Sequence, residues 1–69
     1  MAHFNTATMS VTGHERAVHV ATTLLWDKVN FSHEYDPNTN QYKFTTAVND
    51  THYLHRAVTD SYDAYPERK

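Results

Sequence analysis

Apolar residues along these 69 positions follow two different spacings. From Thr12 to Lys28, Ala17, Val18, Ala21, Leu24 and Leu25 recur at three- and four-residue intervals, the period of a helix that buries one stripe. Leu54, Ala57, Val58, Ser61, Tyr62 and Tyr65 repeat that spacing near the C-terminus. Pro66 ends it, because proline cannot continue a helix. Between these segments the period falls to two. Val29, Phe31, His33 and Tyr35 alternate with Asn30, Ser32 and Glu34, and Tyr42, Phe44, Thr46 and Val48 alternate with Lys43, Thr45 and Ala47. The turn formers Asp36-Pro37-Asn38-Thr39-Asn40 separate the two runs, which predicts a β-hairpin over 29–48.

A loop at Pro37–Asn40 pairs Tyr35 with Tyr42. The same register sets His33 against Phe44, Phe31 against Thr46 and Val29 against Val48. On the reverse face Glu34 meets Lys43 and Ser32 meets Thr45. Apolar opposes apolar and opposite charges meet, as cross-strand pairing favours. A one-residue slip would lose both. Residues 1–10 are expected to hold a first strand, centred on His3–Met9. It places Ala7, Met9 and Val11 on one side and Phe4, Thr6 and Thr8 on the other. Thr12-Gly13-His14-Glu15 has the form of a capping box, which would start a helix over 12–28. Asn49 or Asp50 would cap a second helix over 50–65, leaving 66–69 as a tail.

These elements predict a single α+β domain over 1–69. The order is β-α-β-β-α in two layers, with a three-stranded sheet and strand 3 in the middle. Both helices should pack on the one face that carries Phe31, Tyr35, Tyr42 and Phe44. The face carrying Asn30, Ser32, Glu34, Lys43 and Thr45 should stay open. A right-handed crossover is expected if strands 1 and 2 are parallel.

Composition narrows the function. A chain this short buries only ~60% of its unfolded surface, so disulfides, a metal or self-association usually support it. There are no cysteines, which removes disulfides and thiolate zinc sites. Gly13 is the single glycine, so neither a phosphate-cradling loop nor a dinucleotide fingerprint is present. Ser10, Ser32 and Ser61 lie in no nucleophile-elbow context. The expectation is a non-catalytic protein without a cofactor. Net charge is −2, with six scattered Lys and Arg against eight acidic residues, which argues against nucleic acid as a partner. No apolar run approaches the roughly 20 residues of a membrane span. The start at Met1 lacks the basic and apolar regions of a secretion signal. A complete cytoplasmic product with no membrane contact is therefore expected.

Two groups of residues carry candidate chemistry. His52 and His55, three apart on the second helix, can bring two imidazoles to one ion. No carboxylate completes the set convincingly, so metal or small-ligand binding through histidines is the alternative function. His33, on the inward hairpin face, is expected to be partly buried with a hydrogen-bonded nitrogen. The other group surrounds Trp26, which lies ~140° from the centre of the apolar stripe, in company with His19, Thr22 and Thr23. Tryptophan is enriched where proteins bind because it buries a large area. Tyr53, also off its stripe, and Val20, on the flank of helix 1, suit the same patch. Trp26 has two readings. It forms a contact surface, or the helix end has no C-cap and loosens so that the indole folds over the sheet edge. The function expected is a protein-interaction module that self-associates or binds another protein, through helix 1 around Trp26 or through a free sheet edge. Its size fits a phage- or plasmid-type regulator or inhibitor.

Overall fold

The computed structural model describes residues 5–67. Phe4 and the rest of 1–4 in the expected first strand, and Arg68 and Lys69 in the tail, lie outside the described residues. The elements are β1 (Thr6–Thr12), α1 (His14–Trp26), β2 (Phe31–Asp36), β3 (Gln41–Ala47), a 3-10 turn (Val48–Asp50) and α2 (Thr51–Ala64). The sheet order is β1-β3-β2, with β1 and β2 each antiparallel to β3. This is the α+β arrangement that the spacings predict, with β3 central. β1 and β2 consequently run parallel to each other on either side of it.

The hairpin takes the predicted register. Tyr35 faces Tyr42, His33 faces Phe44, Phe31 faces Thr46, and Glu34 faces Lys43 on the other side. Pairing ends before the expected Val29–Val48 pair. Val48 opens the 3-10 turn, and the Val29 N–H donates to the Leu24 carbonyl at 2.9 Å instead.

β1 sits further along the chain than expected, because β3 offers partners as far as Gln41, which faces Thr12. Ala7, Met9 and Val11 lie opposite Thr46, Phe44 and Tyr42, so these six share the face turned to the helices. Gly13 then reverses the chain at φ 99°, a conformation suited to glycine. The expected capping box is not formed. Thr12 is still strand, Gly13 occupies the N-cap, and no side chain caps the first turn. Asp50 takes the N-cap position of α2 as expected, also without a side-chain hydrogen bond. The Thr51 hydroxyl donates to the Val48 carbonyl there.

Val11, Val20, Leu24, Leu54 and Ala57 are completely buried and Phe44 nearly so. Full burial of each larger apolar side chain is worth about 1.5–3 kcal/mol. Ser61 is also fully buried, and its hydroxyl donates to the Val58 carbonyl at 2.7 Å. α1 packs on α2 as well as on the sheet, which turns its buried line toward Ala17, Val20 and Leu24. Two expectations for α1 are corrected by this rotation. Val20 is core and not flank, while Val18 and Leu25, expected in the core stripe, are 50% and 66% exposed. Along α2 the stripe Leu54, Ala57, Val58 and Ser61 is buried as predicted. Tyr65, just beyond the helix, is exposed.

The helices do not cover the sheet evenly. Both pack on β1, and α2 also packs on β3, while β2 lies beyond them. His33 and Tyr35 therefore point to the helix side yet remain exposed, which corrects the expectation of a partly buried His33.

Candidate functional site

The end of α1 decides what Trp26 is. Asp27 caps the helix and Lys28 takes a left-handed conformation at φ 61°. The Lys28 N–H donates to the Leu25 carbonyl at 3.0 Å and the Val29 N–H donates to the Leu24 carbonyl. This pair of bonds is the Schellman motif. Its usual apolar contact is supplied by Val29, 7% exposed, beside the fully buried Leu24. The final turn is thus closed, and the expected loosening does not occur. Trp26 stands in a regular helical turn, 86% exposed, and does not fold over the sheet edge.

The neighbours of Trp26 one turn back on the helix are Thr22 and Thr23. Val18 and Leu25 are seven residues apart and so stack on one line, while Trp26 follows Thr22 and Val18 at four-residue steps. The exposed apolar residues of α1 are therefore the Val18–Leu25 line and, about 100° around the helix, Trp26. Beneath Val18 lies a groove of about 150 Å³, walled by His14, Val18 and Ala21 of α1 and floored by His33, Tyr42 and Phe44 of the sheet. The floor continues across β2 as a ladder of rings. Phe31 and His33 stand 5.9 and 5.8 Å from Phe44, and Tyr35 stands 4.6 Å from Tyr42. Of the six large apolar residues exposed among the described residues, Val18, Leu25 and Trp26 belong to α1 and Tyr35 to β2.

The predicted contact residues divide. Trp26 and Thr22 are exposed together. His19 and Thr23 are half-buried. The His19 ring stands 6.1 Å from Tyr65, and the Thr23 hydroxyl donates to the His19 carbonyl at 2.8 Å. Tyr53 is half-buried against the core, its ring 4.1 Å from that of His52. Val18 and Leu25 are the other exposed apolar residues of α1. Their apolar character was visible in the sequence, but the period alone assigned them to the core.

The histidine pair lies elsewhere. His52 and His55 are exposed and line a wider groove of about 780 Å³ with Met9, Val48, Arg56 and Asp60, on the β1 side. Among the described residues, no group of three or more His, Cys, Asp or Glu is arranged to hold a metal. Nor does any buried side-chain nitrogen or oxygen among them lack a hydrogen-bond partner that a ligand would satisfy.

Arg16, which the sequence leaves among scattered surface charges, ties three elements together. Its Nη1 donates to the Thr12 carbonyl and its Nε to the Tyr65 carbonyl, both at 2.7 Å. Its guanidinium carbon lies 4.2 Å from the centre of the Tyr62 ring, and the Tyr62 hydroxyl accepts from the Thr12 N–H at 3.3 Å. The end of β1, the start of α1 and the end of α2 are clamped at this point.

No known protein family, curated protein or solved structure matches the chain. No helix among the described residues is long and apolar enough to cross a membrane.

Proposed function

We propose that this chain is a non-catalytic protein-interaction module that associates with a second copy of itself through the bare flank of α1. The observation that carries the reading is the contrast between Leu24 and Leu25, adjacent in one closed helix. The first is fully buried, the second 66% exposed beside an 86% exposed Trp26. Contiguous exposed apolar surface marks interaction sites, because isolated soluble domains rarely leave it bare.

Size favours a second copy as the occupant. A cysteine-free chain of 69 residues has few other means of extending its core. Val18 and Leu25 share one line of α1, and Trp26 adds an indole that is 86% exposed. Trp26, rigid and large, is the anchor, and Thr22 and the flank of His19 form its margin.

The test is light scattering across a dilution series for wild type, Leu25→Glu and Trp26→Ala. Wild type is expected to pass from 8.0 kDa toward twice that mass as concentration rises. Leu25→Glu should remain monomeric with an unchanged melting temperature when dilute. Trp26→Ala should weaken association by at least ~30-fold, the scale of a hot-spot residue. A wild type that stays at 8.0 kDa at every concentration contradicts the reading.

A further inference from the structure

We infer that the two copies join through their β2 strands, related by a twofold axis at His33, to make one six-stranded antiparallel sheet. This rests on the self-association proposed above and specifies its geometry. β2 is an edge strand whose outer backbone groups pair with nothing in the sheet. Edge strands are normally protected by proline, lysine, a bulge or a covering element. β2 reads Phe-Ser-His-Glu-Tyr-Asp, with neither proline nor lysine, and its ladder with β3 is continuous. β1 is the other edge, and both helices pack on it, burying Val11 completely and leaving Ala7 and Met9 half-buried. Pairing through β2 would extend the ring ladder of Phe31, His33 and Tyr35.

Symmetry and charge select the register. In an antiparallel twofold pair, facing residues must share a sheet face, so the axis passes through a residue and not between two. Centred on Glu34, two carboxylates would oppose each other, which destabilises a strand pair. Centred on Ser32, only residues 31–33 of each β2 would overlap. Centred on His33, five residues overlap. Phe31 then faces the partner's Tyr35, His33 faces the partner's His33, and Ser32 faces the partner's Glu34. The ladder Phe31–His33–Tyr35 continues across the axis on the helix side, beside the groove that Val18 lines.

The chain has no cysteine, so a single introduced thiol reports this contact cleanly. Residues facing each other across the axis have Cα atoms about 4.5–5.5 Å apart, within disulfide range. Under mild oxidation His33→Cys should form a covalent dimer at least ~10-fold faster than Tyr35→Cys or Thr8→Cys, and Phe31→Cys mixed with Tyr35→Cys should cross-link as a pair. A second set of variants lies on the open face, where folding is little affected. Ser32→Lys, facing the partner's Glu34, should tighten association by about fivefold, and Ser32→Glu should loosen it by a similar factor. If wild type dimerises but His33→Cys cross-links no faster than Thr8→Cys, or Ser32→Lys and Ser32→Glu shift association alike, this pairing is overturned and the α1 contact stands. A wild type that stays monomeric overturns both.

Discussion

β1 and β2 flank the same central strand, pair with it in the same antiparallel sense and turn alternate side chains to the same face. Their surroundings differ. On β1 that face meets both helices, and Val11 is fully buried. On β2 only Phe31 packs against the core, and His33 and Tyr35 remain open to solvent. α1 repeats the contrast within one turn, with Leu24 fully buried and Leu25 66% exposed. Alternation in a strand or a helical stripe records where apolar contact is available. It does not record whether this chain alone supplies that contact.

The contrast can be broken most forcefully at the paired leucines. Leu24→Ala should cost about 3 kcal/mol in chemical denaturation, since it empties a fully buried site. Leu25→Ala, measured on dilute monomer, should change stability by less than about 0.5 kcal/mol. Equal losses at the two positions would mean that the bare flank is covered within the monomer. Arg16→Ala comes next. It removes two charge-assisted hydrogen bonds and a contact with the Tyr62 ring from the closed side. The cost should be about 2 kcal/mol, and Arg16→Lys should recover only part of it because an ammonium lacks the planar fork. The smallest effect is a gain. Lys28 holds a left-handed conformation that glycine adopts more cheaply, so Lys28→Gly should raise stability by about 1 kcal/mol in the same assay. It should leave the red-shifted emission of exposed Trp26 in dilute solution unchanged, since the motif that fixes the indole outward is kept.

Local rules carried the hairpin, while no pattern within a strand fixed the place of β1 beside β3. Tyr35 and Tyr42, with Glu34 and Lys43 on the reverse face, allow one register, because each pair is satisfied within the hairpin itself. The start of α1 was less legible. Thr12 suits a cap by composition, but the length of β3 keeps it in the sheet and leaves the turn to Gly13. The closure of α1 was written in Val29, placed five residues after Leu24. A lysine in the left-handed position hid the motif, since glycine is its usual signature. The site was legible only in part. Trp26 stood out because it leaves the apolar stripe. Val18 and Leu25 did not, because helical period places them beside Leu24 and says nothing of how far the sheet extends beneath. Which half of the stripe is buried depends on the pull of α2, a contact between residues far apart in sequence.

Amide hydrogen exchange of the two edge strands, compared between dilute and concentrated protein, tests the central claim most directly. Alternate amides of each edge strand point away from β3; in β1 that of Thr12 donates to the Tyr62 hydroxyl, while those of β2 have no partner in the sheet of a monomer. Exchange in β2 (Phe31–Asp36) should slow markedly as concentration rises, while exchange in β1 (Thr6–Thr12) should not change. Protection that is independent of concentration in both strands, or that grows on β1 in place of β2, would contradict β2 as the edge through which two copies pair.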